Sequence, residues 1–197
     1  MALIGYWVDA AVARARAWAW RALGVRCAAG AKAHAGSRVR CAWGAAELGA
    51  RAELYRGVQV LCIDGGRFHL GADSHIAPGG YLLVGASQLH IGAGVAIGPQ
   101  VAMFCEANDA RAGRPFIEQH QRAPIHIGDN VYLGARVTVL PGAVIESHVV
   151  VAAHAVVRGR LASGFVYGGV PARPLHPLRP ARPQGQPPAA SGPEEAA

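Results

Sequence analysis

One aliphatic position returns every six residues along the second half of the chain: Ile127, Leu133, Val139, Ile145, Val151 and Val157. Four residues after each stands a second small or aliphatic side chain, at Val131, Val137, Ala143, Val149, Ala155 and Leu161. Neither the 3.6-residue period of a helix nor the two-residue alternation of a strand holds this phase. A hexapeptide β-helix does, because each six-residue unit supplies one short strand and one corner of a coil. The repeat predicts an all-β chain wound as a parallel β-helix.

The same phase runs upstream in triplets. Leu48, Leu54 and Val60 form one, Leu70, Ile76 and Leu82 the next, and Ile91, Ile97 and Met103 a third. With the two downstream triplets, this predicts about five triangular coils between residues 45 and 175. Inside a triplet the step is always six. Between triplets it is ten, nine, twenty-four and six, so every insertion falls at one edge of the prism. Repeat folds build their working face from such insertions. The largest, residues 104 to 124, is polar and too long for a plain connector. It is the first place to look for function.

A chain of 197 residues holds one such domain plus appendages. Residues 1–44 read as an N-terminal helix and lead-in. Over residues 5 to 23, Val8, Val12, Ala15, Ala19 and Leu23 fall on one stripe, with Arg14 and Arg21 opposite and Trp7, Trp18 and Trp20 at its flanks. Such a helix suits the open end of the first coil, which a solenoid has to cover. Its tryptophans and arginines also suit contact with a membrane surface through residues 5–23. Residues 176–197 are proline-rich, cannot build a core, and read as a disordered tail.

The formal net charge is +7, and Lys32 is the only lysine. Arginine makes planar paired contacts with phosphates and carboxylates. That bias fits an anionic, nucleotide-bearing ligand as well as a merely solvated surface. No basic run interleaved with aromatics appears, which argues against nucleic acid. Cys27, Cys41, Cys62 and Cys105 are widely spaced, form no Cys-x-x-Cys pair, and read as reduced core residues. Asp9, Arg14 and Arg16 interrupt any signal-peptide run, and no stretch is long enough to span a bilayer. The expected location is the cytoplasm, or the inner membrane surface if the helix docks there.

Residues 124 to 175, PIHIGDNVYLGARVTVLPGAVIESHVVVAAHAVVRGRLASGFVYGGVPARPL, resemble the C-terminal half of hexapeptide-repeat acetyltransferases of the galactoside, maltose and polysaccharide O-acetyltransferase type. IGDNVYLG stands for the family's IGxxVWIG, LPG for its PG corner, VVAAHAVV for VIGAGSVV, and YGGVPARPL for AGxPARxI. The resemblance implies a left-handed β-helix, assembled as a homotrimer, that takes acetyl-CoA along a groove between subunits and a sugar or glycan-precursor hydroxyl as acceptor. Carried over position by position, Tyr132 takes the place of the aromatic beside the active site. Ala135 and Ala153 line the pantetheine channel, Arg158 lies near the phosphoadenosine end, and Arg173 belongs to the segment that closes the groove. Small residues at tight corners would account for Ala135 and Ala153 equally well.

Acyl transfer from a thioester to a hydroxyl needs a base with a pKa near working pH, and histidine fits. The resemblance places that histidine in the extruded loop, where this chain has Asn108, which cannot titrate. His120 is the leading substitute base and Asp109 the next. The alternatives are a catalytically silent β-helix that binds or scaffolds, or a weak substrate-assisted transfer with Asn108 only orienting the hydroxyl. For a zinc site, His148 and His154 sit on adjacent faces of one coil, while His69, His75, His90 and His126 read as scattered across coils, so no metal site is expected.

Overall fold

The computed structural model describes residues 2–109 and 115–178; for residues 2–8 it describes the backbone alone. Short strands follow one another around a triangular prism, and each pairs in parallel with its equivalents one turn above and below. The first sheet holds seven strands, the second eight and the third six. The six-residue period is thereby converted into a stack. Ile127, Ile145 and Leu161 lie in register in the first sheet, Leu133 and Val151 in the second, and Val139 and Val157 in the third. All seven point inward and are buried. Val131, Val137, Ala143, Val149 and Ala155, the second position of each hexad, fill the space beside them. Burying a Val, Leu or Ile contributes about 1.5–3 kcal/mol each, so repetition along the axis supplies the stability that a two-residue strand lacks alone.

The solenoid has six complete turns, not the five that the aliphatic triplets predict. The additional turn comes first, as strands Arg26–Cys27, Lys32–Ala33 and Arg38–Arg40, ahead of residue 45. Its inward positions are Cys27, Ala33 and Val39, in register with Leu48, Leu54 and Val60. They keep the six-residue step, but cysteine and alanine are too small to stand out in an aliphatic count. The N-terminal helix, Ala2–Ala22, explains the small residues, because it packs Ala10, Ala13 and Ala17 down on this end. Alanine against alanine lets the helix backbone approach the coil closely.

The packed face of that helix is not the stripe expected from the sequence. Val12, Ala15, Ala19 and Leu23 face solvent, and Trp18 with them; the side chains of Trp7 and Val8 lie outside the described residues. Among the helix's described larger side chains, Trp20 leans on the core. At the far end a seventh turn begins with Arg160–Leu161 and Phe165–Gly168, and Arg173–Pro177 folds back antiparallel on the latter. The end of the second sheet is thus covered by the chain's own return strand. Most of the proline-rich tail, residues 179–197, lies outside the described residues.

The two glycines of IGDNVYLG serve close approach between turns. A Cβ on Gly134 would stand 2.5 Å from the Ala153 nitrogen, and one on Gly128 2.6 Å from that of Ser147. Gly142 of the LPG corner is different, with a left-handed φ of +79° that favours glycine.

Candidate active site

The long insertion leaves the prism between Ala102–Phe104 of the third sheet and Ile125–Ile127 of the first. Its base is closed by the Ala123 N–H donating to the Cys105 carbonyl at 3.0 Å. Above that base, Glu106–Asn108 and His120–Arg122 form an antiparallel ribbon that pairs Glu106 with Arg122, Ala107 with Gln121 and Asn108 with His120. Alternate residues of a strand share a face, so one side of the ribbon bears Glu106, Asn108, His120 and Arg122. The structure thus makes Asn108 and His120 direct cross-strand neighbours although twelve positions separate them in sequence. Asp109 follows at the mouth of the ribbon, its N–H donating to the Gln119 carbonyl at 2.9 Å. Beyond it a single 3-10 turn, Phe116–Glu118, exposes Phe116 and Ile117.

Glu106 organises this face, and the sequence reading did not single it out. Its carboxylate meets the Arg122 guanidinium at both oxygens, each at 3.1 Å, and His120 Nδ1 stands 3.4 Å from Oε1. The Arg122 hydrogen bond holds the Glu106 carboxyl below the ordinary carboxylate range, so it is an anion at neutral pH. It also rests on the coil, where a Cβ on Gly85 would stand 2.3 Å from Glu106 Oε2. A carboxylate beside Nδ1 steers the imidazole so that Nε2 is the nitrogen left for chemistry. The alternation Glu-x-Asn and His-x-Arg was the available signal, but it needs the ribbon register to be read.

The residues expected at the cofactor lie elsewhere on the prism. Tyr132 is half exposed on the second sheet, between Ala96 and Val150 on neighbouring turns. That sheet is opposite the edge from which the ribbon leaves, so one chain does not bring Tyr132 to Asn108 or His120. Ala135 and Ala153 occupy equivalent corners of successive turns, joined where the His154 N–H donates to the Ala135 carbonyl at 2.9 Å. Arg158 is exposed at the turn after Val156–Val157, on the same edge as the ribbon and two turns further along. Arg173, also exposed, opens the return strand opposite Gly168.

Three histidines that read as scattered form a column. His69, His90 and His126 are register partners in the first sheet, their rings stacked at 4.8 Å per step and nearly parallel. Unequal insertions hid the alignment in sequence. Among the described residues, no group of three or more His, Cys, Asp or Glu side chains gathers as metal ligands.

The repeat, the stacked turns and one extruded ribbon define a hexapeptide-repeat β-solenoid. Residues 124–159 match the family described as bacterial transferase hexapeptide (six repeats). Over 59 residues, 30% of each chain, the protein is 44% identical to "Putative lipopolysaccharide biosynthesis O-acetyl transferase WbbJ" of Escherichia coli (strain K12), so the match spans under a third of that relative. Among solved structures it is similar to the hexapeptide-repeat containing acetyltransferase VCA0836 of Vibrio cholerae, at 26% identity and a TM-score of 0.61, covering 67% of this chain and 73% of that one. The N-acyltransferase AntD of Bacillus cereus, solved with dTDP and 3-hydroxybutyryl-CoA, shares the fold at 18% identity and a TM-score of 0.70, covering 81% and 86%. In repeat and fold alike, the chain resembles hexapeptide-repeat acetyltransferases.

Proposed function

We propose that this protein is an acetyl-CoA-dependent O-acetyltransferase acting on a hydroxyl of a sugar or glycan precursor in the cytoplasm. The ribbon face carries the reading, because it sets His120 directly beside the asparagine in the expected base position, with Glu106 against its Nδ1. In the reaction His120 Nε2 takes the acceptor proton as the hydroxyl oxygen attacks the thioester carbonyl. The C–S bond then breaks, and the same proton passes to the departing CoA thiolate. Asn108 holds the acceptor by hydrogen bonds, and Asp109 lies at the mouth of the site. The relatives support the class: one is named as an O-acetyl transferase, one as an acetyltransferase, and one is solved with an acyl-CoA.

The active unit would be a homotrimer, in which the ribbon of one copy lies over the second sheet of the next. Support comes from the separation of Tyr132 from the ribbon, which a neighbouring copy would close. Acetyl-CoA would then run along the corners of Ala135 and Ala153, its phosphates toward Arg158 and the groove closed by Arg173. Calorimetric titration of acetyl-CoA, then free CoA, tests the proposal. Micromolar binding, weakened by Arg158→Ala, is expected. Absence of binding up to millimolar cofactor would sink the transferase reading and leave a silent scaffold as the better account. Where cofactor binds, Asn108→His distinguishes a working site from a silent one: gain or retention of transfer marks an intact site.

A further inference from the structure

We propose that the helix-capped end of the prism docks onto an anionic phospholipid membrane. The proposal rests on this surface alone and does not require the transferase reading. The helix packs Ala10, Ala13 and Ala17 down on the coil and leaves three larger apolar side chains at the surface, with Val12 51% exposed and Trp18 and Leu23 each 71%. Trp43, 77% exposed, extends the patch past the helix end. Its ring lies so close over Gly24 that a Cβ there would stand 2.8 Å from it. Arginines are set between these side chains. Arg14, Trp18 and Arg21 border one depression, and Arg21, Arg26 and Trp43 border an adjoining open furrow of about 650 Å³, where Arg26 is paired with Glu47 at 2.8 Å and Arg21 stands without a carboxylate partner among the described residues.

Charge decides the occupant. Residues 1–44 hold seven lysines and arginines and a single acidic residue, Asp9, so six of the chain's seven net positive charges lie in its first quarter. A second copy presenting the same surface would bring like charge against like charge, which disfavours self-docking. A nucleic acid would satisfy the arginines but give Val12 and Leu23 nothing apolar to enter. A bilayer with anionic headgroups satisfies both, with phosphates for arginine, the interfacial layer for tryptophan and acyl chains for the aliphatic residues. Contact is along the surface, since no helix among the described residues is long and apolar enough to cross a membrane.

The test is co-sedimentation of the full chain with large vesicles of phosphatidylcholine alone or mixed with phosphatidylglycerol. Binding to the mixed vesicles only is expected, falling as salt is raised. Trp18→Ser combined with Trp43→Ser should weaken it about tenfold or more, since interfacial affinity scales with buried apolar area. Arg14→Glu should weaken it severalfold at low salt and little at high salt. All three positions are exposed, and an unchanged thermal melt checks that the variants fold. Three results would each overturn the proposal: no binding to mixed vesicles, equal binding to both vesicle types, or binding that both variants leave unchanged. Retention of poly(U) but not vesicles would assign the surface to nucleic acid. Concentration-dependent assembly without vesicle binding, abolished by the tryptophan variant, would assign it to a second copy.

Discussion

The coil and the ribbon that leaves it are built on opposite rules. In the coil, Ile127, Leu133, Val139, Ile145, Val151 and Val157 are all fully buried, each resting on an equivalent residue of an adjoining turn. In the ribbon, Asn108 and His120 are exposed, and Glu106 is held by its salt bridge to Arg122 as well as by its rest on Gly85. One region says the same thing many times, so its stability is spread along the axis. The other says each thing once. The lesson is that stability and the proposed chemistry fall in different parts of the chain, and substitutions should move one without the other.

The strongest break of that comparison is His120→Ala. It should lower acetyl transfer by about a hundredfold to ten-thousandfold, the usual contribution of a general base, while the melting temperature stays put. Unchanged turnover would remove His120 from the site. Next comes Leu133→Ala in the coil, which should cost about 2–5 kcal/mol of stability, read by denaturant unfolding. A loss below about 1 kcal/mol would mean that the turns do not share their core as described.

Gly134→Ala sharpens the contrast within the motif. Its new methyl would meet the backbone of Ala153 at 2.5 Å, and a cost of about 1–3 kcal/mol is expected by analogy with overpacked cores. Gly142→Ala acts instead through its left-handed φ of +79°, so only the Gly134 change should spread to the adjoining turn in hydrogen exchange. Equal exchange patterns would argue against close turn packing as the reason for Gly134.

The smallest effect belongs to the histidine column. Partial burial, then the neighbouring imidazoles of His69 and His126, hold His90 below the ordinary histidine range. The folded value lies below the unfolded one, so the contribution is present above about pH 6.5 and is lost as pH falls from there toward the folded value. The melting temperature should therefore decline as pH is lowered through about 6.5, and His90→Gln should flatten part of that decline. An identical pH profile in the variant would show that the stack carries no electrostatic cost.

The repeat was legible because a coil asks the same question of the chain every six residues, and aliphatic side chains answer it visibly. The first turn was missed where Cys27 and Ala33 answered with small residues, for a reason that lies in the helix above them. The packed face of that helix follows the same logic: periodicity marks an apolar face, but close approach to the first turn selects Ala10, Ala13 and Ala17 for packing. Asn108, Asp109 and His120 could be named from the sequence as members of one loop. Their arrangement, and the part taken by Glu106 and Arg122, depended on the antiparallel register. The column of His69, His90 and His126 likewise depended on how unequal insertions are absorbed at the corners. The sequence by itself determined the winding, since burial of a repeated apolar position is a local and redundant instruction. Only the tertiary structure decided which single residues meet, because a contact made once leaves no period to read.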